Sequence, residues 1–231
     1  MAGRFARTLV MVTEADHPLA AAAAARLARE GASLVLQHRG SACSTKRVTA
    51  LAAKLGVSAI AVCADLTDQT SALGISRAIA ELGPRVQAVL HTPIQGGTEL
   101  SVEARMSSDV SSLMMASRLC IPLMDAGGAI LSLLPLSARD GGASGGDMPS
   151  AVASGAALAV VRGLARDLGS RGIRVNAVLC DIERFALSAE PSRDAPDVMD
   201  AEAVAGAAAF LLSSEASYIT GTDIRVTKFK R

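Results

Sequence analysis

Residues 149–178 read PSAVASGAALAVVRGLARDLGSRGIRVNAV. Leu158, Val161, Leu164, Ala165 and Leu168 recur with helical spacing, which predicts a helix over Ala151 to Leu168 with one apolar face. An apolar strand, Arg174 to Leu179, follows at once. The same alternation continues in both directions. Upstream, the pattern predicts strand Thr8 to Val12, helix Pro18 to Glu30 ended by Gly31, strand Ser33 to Leu36 and helix Thr45 to Leu55. Strand Ala59 to Cys63, helix Gln69 to Leu82, strand Ala88 to His91, a long helix around Asp109 to Asp125 and strand Ala129 to Leu134 come next. Downstream lie a helix from Ala203 to Leu212 and strand Asp223 to Val226. Strands that are continuously apolar, joined by helices, imply a parallel sheet covered on both faces. The expected fold is therefore α/β: one doubly wound Rossmann-like domain over 1–231, with a seven-stranded parallel sheet. Two stretches read as loops, Ser137 to Ser150 and the polar, proline-bearing Asp181 to Asp200.

The composition fits that fold and excludes several roles. At 231 residues and 50% hydrophobic content, the chain supports one substantial core. A net charge of +1 gives no field that would favour nucleic acid or an anionic membrane. Aromatic content of 2% leaves little for stacking on bases. Cys43, Cys63, Cys120 and Cys180 are widely spaced and lie near no His cluster, so they are expected to be buried free thiols rather than metal ligands. The alanine-rich run Leu19 to Ala25 is too short to span a bilayer, and MAGRFART leads straight into a strand. The expectation is a cytoplasmic protein with no metal.

The 149–178 stretch resembles the active-site helix and following strand of the short-chain dehydrogenase/reductase family, where a typical member reads YxASKAAL…LAxELAxRGIRVNAV. RLAREGA (Arg26 to Ala32), CADLTD (Cys63 to Asp68), DVSSLMMASRLCIPLM (Asp109 to Met124) and SSEASYITG (Ser213 to Gly221) extend the resemblance along the chain in order. The likeness is to members of the 3-oxoacyl-ACP reductase type. It implies a hydride-transfer enzyme with a nicotinamide cofactor, and the positions that would carry that chemistry are altered. The family's Tyr and Lys fall on Ala151 and Gly155, and the sole tyrosine, Tyr218, lies in SYITG. Neither Ala nor Gly moves a proton.

The resemblance also locates the cofactor positions. The phosphate loop TGxxxGxG, whose glycines let backbone amides approach a pyrophosphate, falls on Thr13 to Ala20. Its glycines become Glu14, Pro18 and Ala20. Asp16 is placed to cap the first helix, which sets an anion where phosphate would arrive. Unit charges ~4 Å apart repel by about 1 kcal/mol in water and about 4 at a protein surface. Asp65 and Leu66 match positions that flank the adenine, and Arg39 one where NADP-preferring members place a phosphate-reading Arg, but Asp65 is expected to cap a turn and Arg39 to be a solvated surface charge. The family's NNAG becomes His91-Thr92-Pro93-Ile94, with His91 expected as a hydrogen-bonded packing residue and Ile94 crowding the nicotinamide. The catalytic Asn falls on Ser111, and the catalytic Ser near Pro135, with Ser137 two residues on. After the sixth strand, Pro-Gly becomes Cys180-Asp181, and Cys180 is expected to be a buried thiol.

No catalytic, cofactor-binding or metal-binding residue is therefore assigned. The leading expectation is a catalytically silent homologue that assembles with an active relative, or with itself, through the helices around Asp109 to Asp125 and Ala151 to Leu168 and the segment Ala203 to Val226. A charge at Ala157 or Val161 is expected to disrupt that assembly if either lies on the shared face, which periodicity alone does not settle. A cofactor-free enzyme using Asp16, His17, His91, Ser137 and Asp181, a small-molecule sensor and an atypical oxidoreductase remain as alternatives.

Overall fold

The computed structural model describes residues 3–93, 101–140, 148–180 and 201–227. Strand β1 (Leu9–Val12) leads to helix α1 (Pro18–Arg29), β2 (Ser33–His38), α2 (Ala42–Lys54), β3 (Ala59–Cys63), α3 (Leu73–Leu82) and β4 (Ala88–His91). Then come α4 (Val102–Met106), α5 (Ser112–Cys120), β5 (Ala129–Pro135), α6 (Ser137–Asp140), α7 (Met148–Leu168), β6 (Arg174–Cys180), α8 (Ala201–Leu212) and β7 (Asp223–Arg225). The seven strands are parallel in the order β3-β2-β1-β4-β5-β6-β7, as the alternating pattern predicts. Chain direction across the sheet reverses between β1 and β4, which places the ligand crevice of such a sheet beyond the carboxyl ends of those strands.

Strand side chains alternate between two cores. Val10 and Val12 point into one, with α1 and α8; Leu9 and Met11 point into the other, with α3, α5 and α7. Both faces are buried, and this is why the strands are largely apolar rather than alternating. On the first face, Ala20, Ala23 and Ala24 of α1 and Ala205, Ala208 and Ala209 of α8 are buried, and small residues let these two helices pack closely.

Several boundaries differ from expectation for local reasons. The long helix begins at Val102 rather than near Asp109, passes through a π-helical turn at Ser107–Ser111, and ends at Cys120. Pro122 lies in the 3₁₀ turn Ile121–Leu123 that closes it. The stretch expected as a loop from Ser137 contains α6 and the first turn of α7; residues 141–147 and the second expected loop, 181–200, lie outside the described residues. The segment Met148–Arg171 is long and apolar enough to cross a membrane by length and composition alone. Here it packs on the sheet, with Ala153, Ala157, Leu158, Val161, Ala165 and Leu168 buried.

The polar residues of RVN in β6 hold the C-terminal segment. The buried Arg174 donates from Nη1 to the Leu211 carbonyl at 2.7 Å and from Nη2 to that of Ser213 at 2.8 Å. The bonds cap carbonyls at the end of α8, where the helix leaves its last acceptors without partners of its own; that of Ser213 also takes the Ala216 amide. Asn176 donates to the Ile219 carbonyl at 2.8 Å and accepts from the Thr222 amide at 3.1 Å.

Candidate functional site

The loop between β1 and α1 carries the main departures from a phosphate cradle. Glu14 adopts φ +46°, in the left-handed region that glycine tolerates and other residues reach at a cost of about 1–2 kcal/mol. Gln37 holds it there. The Gln37 Oε1 accepts from the Glu14 amide at 2.9 Å, and its Nε2 donates to the Ala64 carbonyl at 2.7 Å and to Glu14 Oε1 at 3.4 Å. Glu14 is only 8% exposed, and burial pushes its carboxyl up to about 7; Arg39 opposes this, while Asp16 and Asp65 reinforce it. The guanidinium of Arg39 stands 3.7 Å from Glu14 Oε2.

The expected cap on α1 is corrected by one residue. His17, not Asp16, is the N-cap: its Nδ1 accepts from the Leu19 amide at 3.2 Å, and Pro18 occupies the first turn. Asp16 turns instead toward α2, where it accepts from Ser44 Oγ and from Arg47 Nη2, the latter at 3.2 Å. Asp16 and His17 thus serve different partners. Glu14, Asp16, Arg39, Ser41, Ser44 and Asp65 line a cleft of about 360 Å³ beyond the ends of β1, β2 and β3. Asp65 caps its own turn, accepting from the amide and hydroxyl of Thr67 at 2.8 and 2.7 Å.

Beside β1, the end of β4 is tied by Thr13, whose Oγ1 donates to the Thr92 carbonyl and accepts from the Thr92 amide. His91 is fully buried, 2.8 Å from both Ser132 Oγ and Ser112 Oγ. Ser112 donates onward to the Ser108 carbonyl, so His91 Nε2–H donates to Ser112 and Nδ1 accepts from Ser132. Desolvation pushes this imidazole down to about 3, and it stays neutral. His91 is a packing residue that joins β4, β5 and α5.

A family model described as enoyl-(acyl carrier protein) reductase matches residues 15–228. The chain belongs to the short-chain dehydrogenase/reductase family. It is similar to the meso-2,3-butanediol dehydrogenase of Serratia marcescens, 27% identical over 96% of this chain and 94% of that one. It is 30% identical to the inactive 2-(S)-hydroxypropyl-CoM dehydrogenase 2 of Xanthobacter autotrophicus, over 84% of this chain and 92% of the relative. Among solved structures, an enoyl-(acyl-carrier-protein) reductase of Anaplasma phagocytophilum in complex with NAD superposes with a TM-score of 0.82 at 25% identity, covering 98% and 93% of the two chains.

The positions onto which the sequence resemblance carries the family's catalytic groups hold no titratable side chain. Ala151 and Gly155 are both half-buried on α7, and a Cβ built at Gly155 would stand 3.6 Å from the Ala138 carbonyl. Ser111 is exposed at the end of the π turn. Pro135 ends β5, and Ser137 opens α6 with its hydroxyl buried and without a hydrogen-bond partner; the hydroxyls of Thr92 and Ser154 share that state. Cys180 is buried at the end of β6. Ile94 and Asp181 lie outside the described residues. The polar set envisaged for cofactor-free chemistry is therefore dispersed: His91 in the core, His17 at a helix cap, Asp16 against α2. No cluster of three metal-ligating side chains occurs among the described residues.

Two further expectations are corrected. Cys43 and Cys63 are exposed, because Cys43 lies on the outer side of α2 and Cys63 ends the edge strand β3; only Cys120 and Cys180 are buried. Ala157 and Val161 are completely buried in this chain's own core, so neither can face a partner. Sequence reasoning missed Gln37, Ser44 and Arg47. Of these, Gln37 had a signal: a polar residue inside the otherwise apolar strand SLVLQH.

Proposed function

We propose that this chain is a catalytically silent member of the dehydrogenase/reductase family, acting as a structural or regulatory subunit beside an active relative. The observation that carries this reading is the coincidence of two independent losses. Ala151 and Gly155 supply neither a proton donor nor a group to hold the nicotinamide ribose. The phosphate loop is filled by the buried Glu14 side chain and bordered by the Asp16 carboxylate, so it does not fit a pyrophosphate. No hydride-transfer step is derived for it. A relative of similar length that carries the word inactive in its name supports the same reading.

Assembly through α5 and α7 is part of the proposal. Met114 on α5 and Met148 and Val152 on α7 are exposed apolar side chains on those two helices. Co-expression with an intact family member from the same genome, followed by sizing of the complex and assay of the partner's activity, tests the reading. A stable mixed oligomer with altered partner activity is expected. A chain that stays monomeric beside every such relative overturns it, as does a micromolar dissociation constant for NADH or NADPH in calorimetry.

A further inference from the structure

We propose that Arg105 is the counter-charge of a binding site for a small monocarboxylate, set between α4 and the amino-terminal half of α7. The inference goes beyond the silent-subunit reading and needs no partner chain.

Two arginines are buried among the described residues, and they differ in how they are satisfied. Arg174, 6% exposed, gives two of its nitrogens to carbonyls. Arg105, 5% exposed, makes no side-chain hydrogen bond or ion pair among the described residues, and its Nε is buried without a partner. Asp109, buried one turn further on, accepts from the Ser108 hydroxyl and forms no ion pair with Arg105. An unpaired buried cation is strongly unfavourable, and a guanidinium cannot shed its proton to escape that cost. A bound anion removes it.

The surroundings of Arg105 say which anion. Arg105 is the buried residue of α4, and α4 packs on α7 and on the π turn. Both helices start from the carboxyl edge of the sheet, so α4 meets the amino-terminal half of α7. Side chains there are small: Ala151 and Gly155 are half-buried, and the Ala138 carbonyl of α6 stands 3.6 Å from a Cβ built at Gly155. That half also holds a second observation. Ser154 is completely buried and its hydroxyl has no hydrogen-bond partner, and the buried hydroxyl of Ser137 on α6 has none either. Three buried groups able to donate, on α4, α6 and α7, therefore lack an acceptor. A carboxylate answers all three. It pairs with the guanidinium fork through both oxygens, and its remaining lone pairs serve the hydroxyls. Its single charge matches the single cation, whereas a phosphate dianion would bring one charge too many into a buried site.

Calorimetric titration of the full chain with butyrate, at constant ionic strength, tests this, with butyramide and inorganic phosphate as comparison probes. Butyrate should bind, and the other two should each bind at least about tenfold more weakly. Arg105→Gln should abolish butyrate binding. Without ligand, that variant should be at least as stable as the parent, because it removes an unpaired buried charge. Ser154→Ala should weaken butyrate binding by about threefold. No butyrate binding, butyramide or phosphate binding as tightly as butyrate, or binding undiminished in Arg105→Gln overturns the proposal. An Arg105→Gln chain that is less stable than the parent or fails to fold also overturns it, since the guanidinium would then have its partner within the chain.

Discussion

The two regions onto which the resemblance carries the family's chemistry differ from its pattern in opposite ways. Around β1 and α1, the segment that the resemblance aligns with the phosphate loop carries two acidic residues, and each is held: Glu14, at a glycine position, by Gln37, and Asp16 by Ser44 and Arg47. The capping position beside them, His17, bonds the Leu19 amide. Along α7, the functional positions have shrunk to Ala151 and Gly155, and the hydroxyls of Ser137 and Ser154 near them are left without partners. One region has been refilled and the other vacated. Refilling brings new interactions whose loss is measurable; a vacancy leaves packing and unpartnered donors to test.

The largest effect is expected on the inner side of α7. Ala157→Asp places an unpaired carboxylate at a completely buried site, and should lower stability by at least about 4 kcal/mol or prevent folding. Chemical denaturation checks this, and a well-folded variant would mean that the helix packs elsewhere.

Next is the pH dependence of the refilled loop. The Glu14 carboxyl is raised from 4.5 to about 7 on folding. The folded chain therefore holds this proton more tightly than the unfolded chain. The associated stability is fully present below about pH 4.5 and is lost as pH rises to about 7, by up to about 3 kcal/mol. Glu14→Gln should flatten that part of the stability–pH curve; a parent curve already flat there would show that Glu14 ionises normally.

A smaller loss, about 1 kcal/mol, is expected for His17→Ala, which removes the cap of α1. Thermal unfolding reads it, and an unchanged midpoint would show that Pro18 alone suffices to start the helix. On the exposed side of α7, Val152→Asp should leave stability within about 0.5 kcal/mol of the parent but weaken assembly, as seen by light scattering. Paired with Ala157→Asp, it separates the helix's own packing from any partner's. Least of all should follow from Ala151→Tyr combined with Gly155→Lys. This refits the vacated region and leaves the refilled one intact, so no carbonyl reduction should appear in a spectrophotometric assay. Reductase activity there would show that Glu14 and Asp16 do not exclude the cofactor.

The sheet was legible because its physics is one-dimensional. Strands buried on both faces are mostly apolar, and β3 and β4 have the bounds their composition predicts. The long helix was less legible, since no local sequence signal marks the π turn at Ser107–Ser111, beside which Ser112 meets His91 of a distant strand. The cap of α1 was misplaced because Asp and His can both accept an amide hydrogen bond, and only the fold shows that α2 brings Arg47 to Asp16. Periodicity did not decide whether Ala157 or Val161 faces the core or a partner; the fold buries both. The absence of Tyr and Lys at Ala151 and Gly155 needed no fold to be seen. The cleft did, because Gln37, Arg39 and Ser44 meet Glu14 and Asp16 across three elements.

The arginine in β6 also bears on the order in which the molecule can be completed during synthesis. Its guanidinium is satisfied by carbonyls 37 and 39 residues further along the chain. Until the ribosome has released that stretch, docking β6 beside β5 would bury a cation with nothing to receive its hydrogen bonds, which is strongly unfavourable. Strands β1 to β4 bury no cation that waits on α8: the buried His91 is neutral, and its partners Ser112 and Ser132 emerge well before that helix. The nascent chain can therefore gather β1 to β4 early, while the half-sheet around β6 closes only when α8 has emerged and folded.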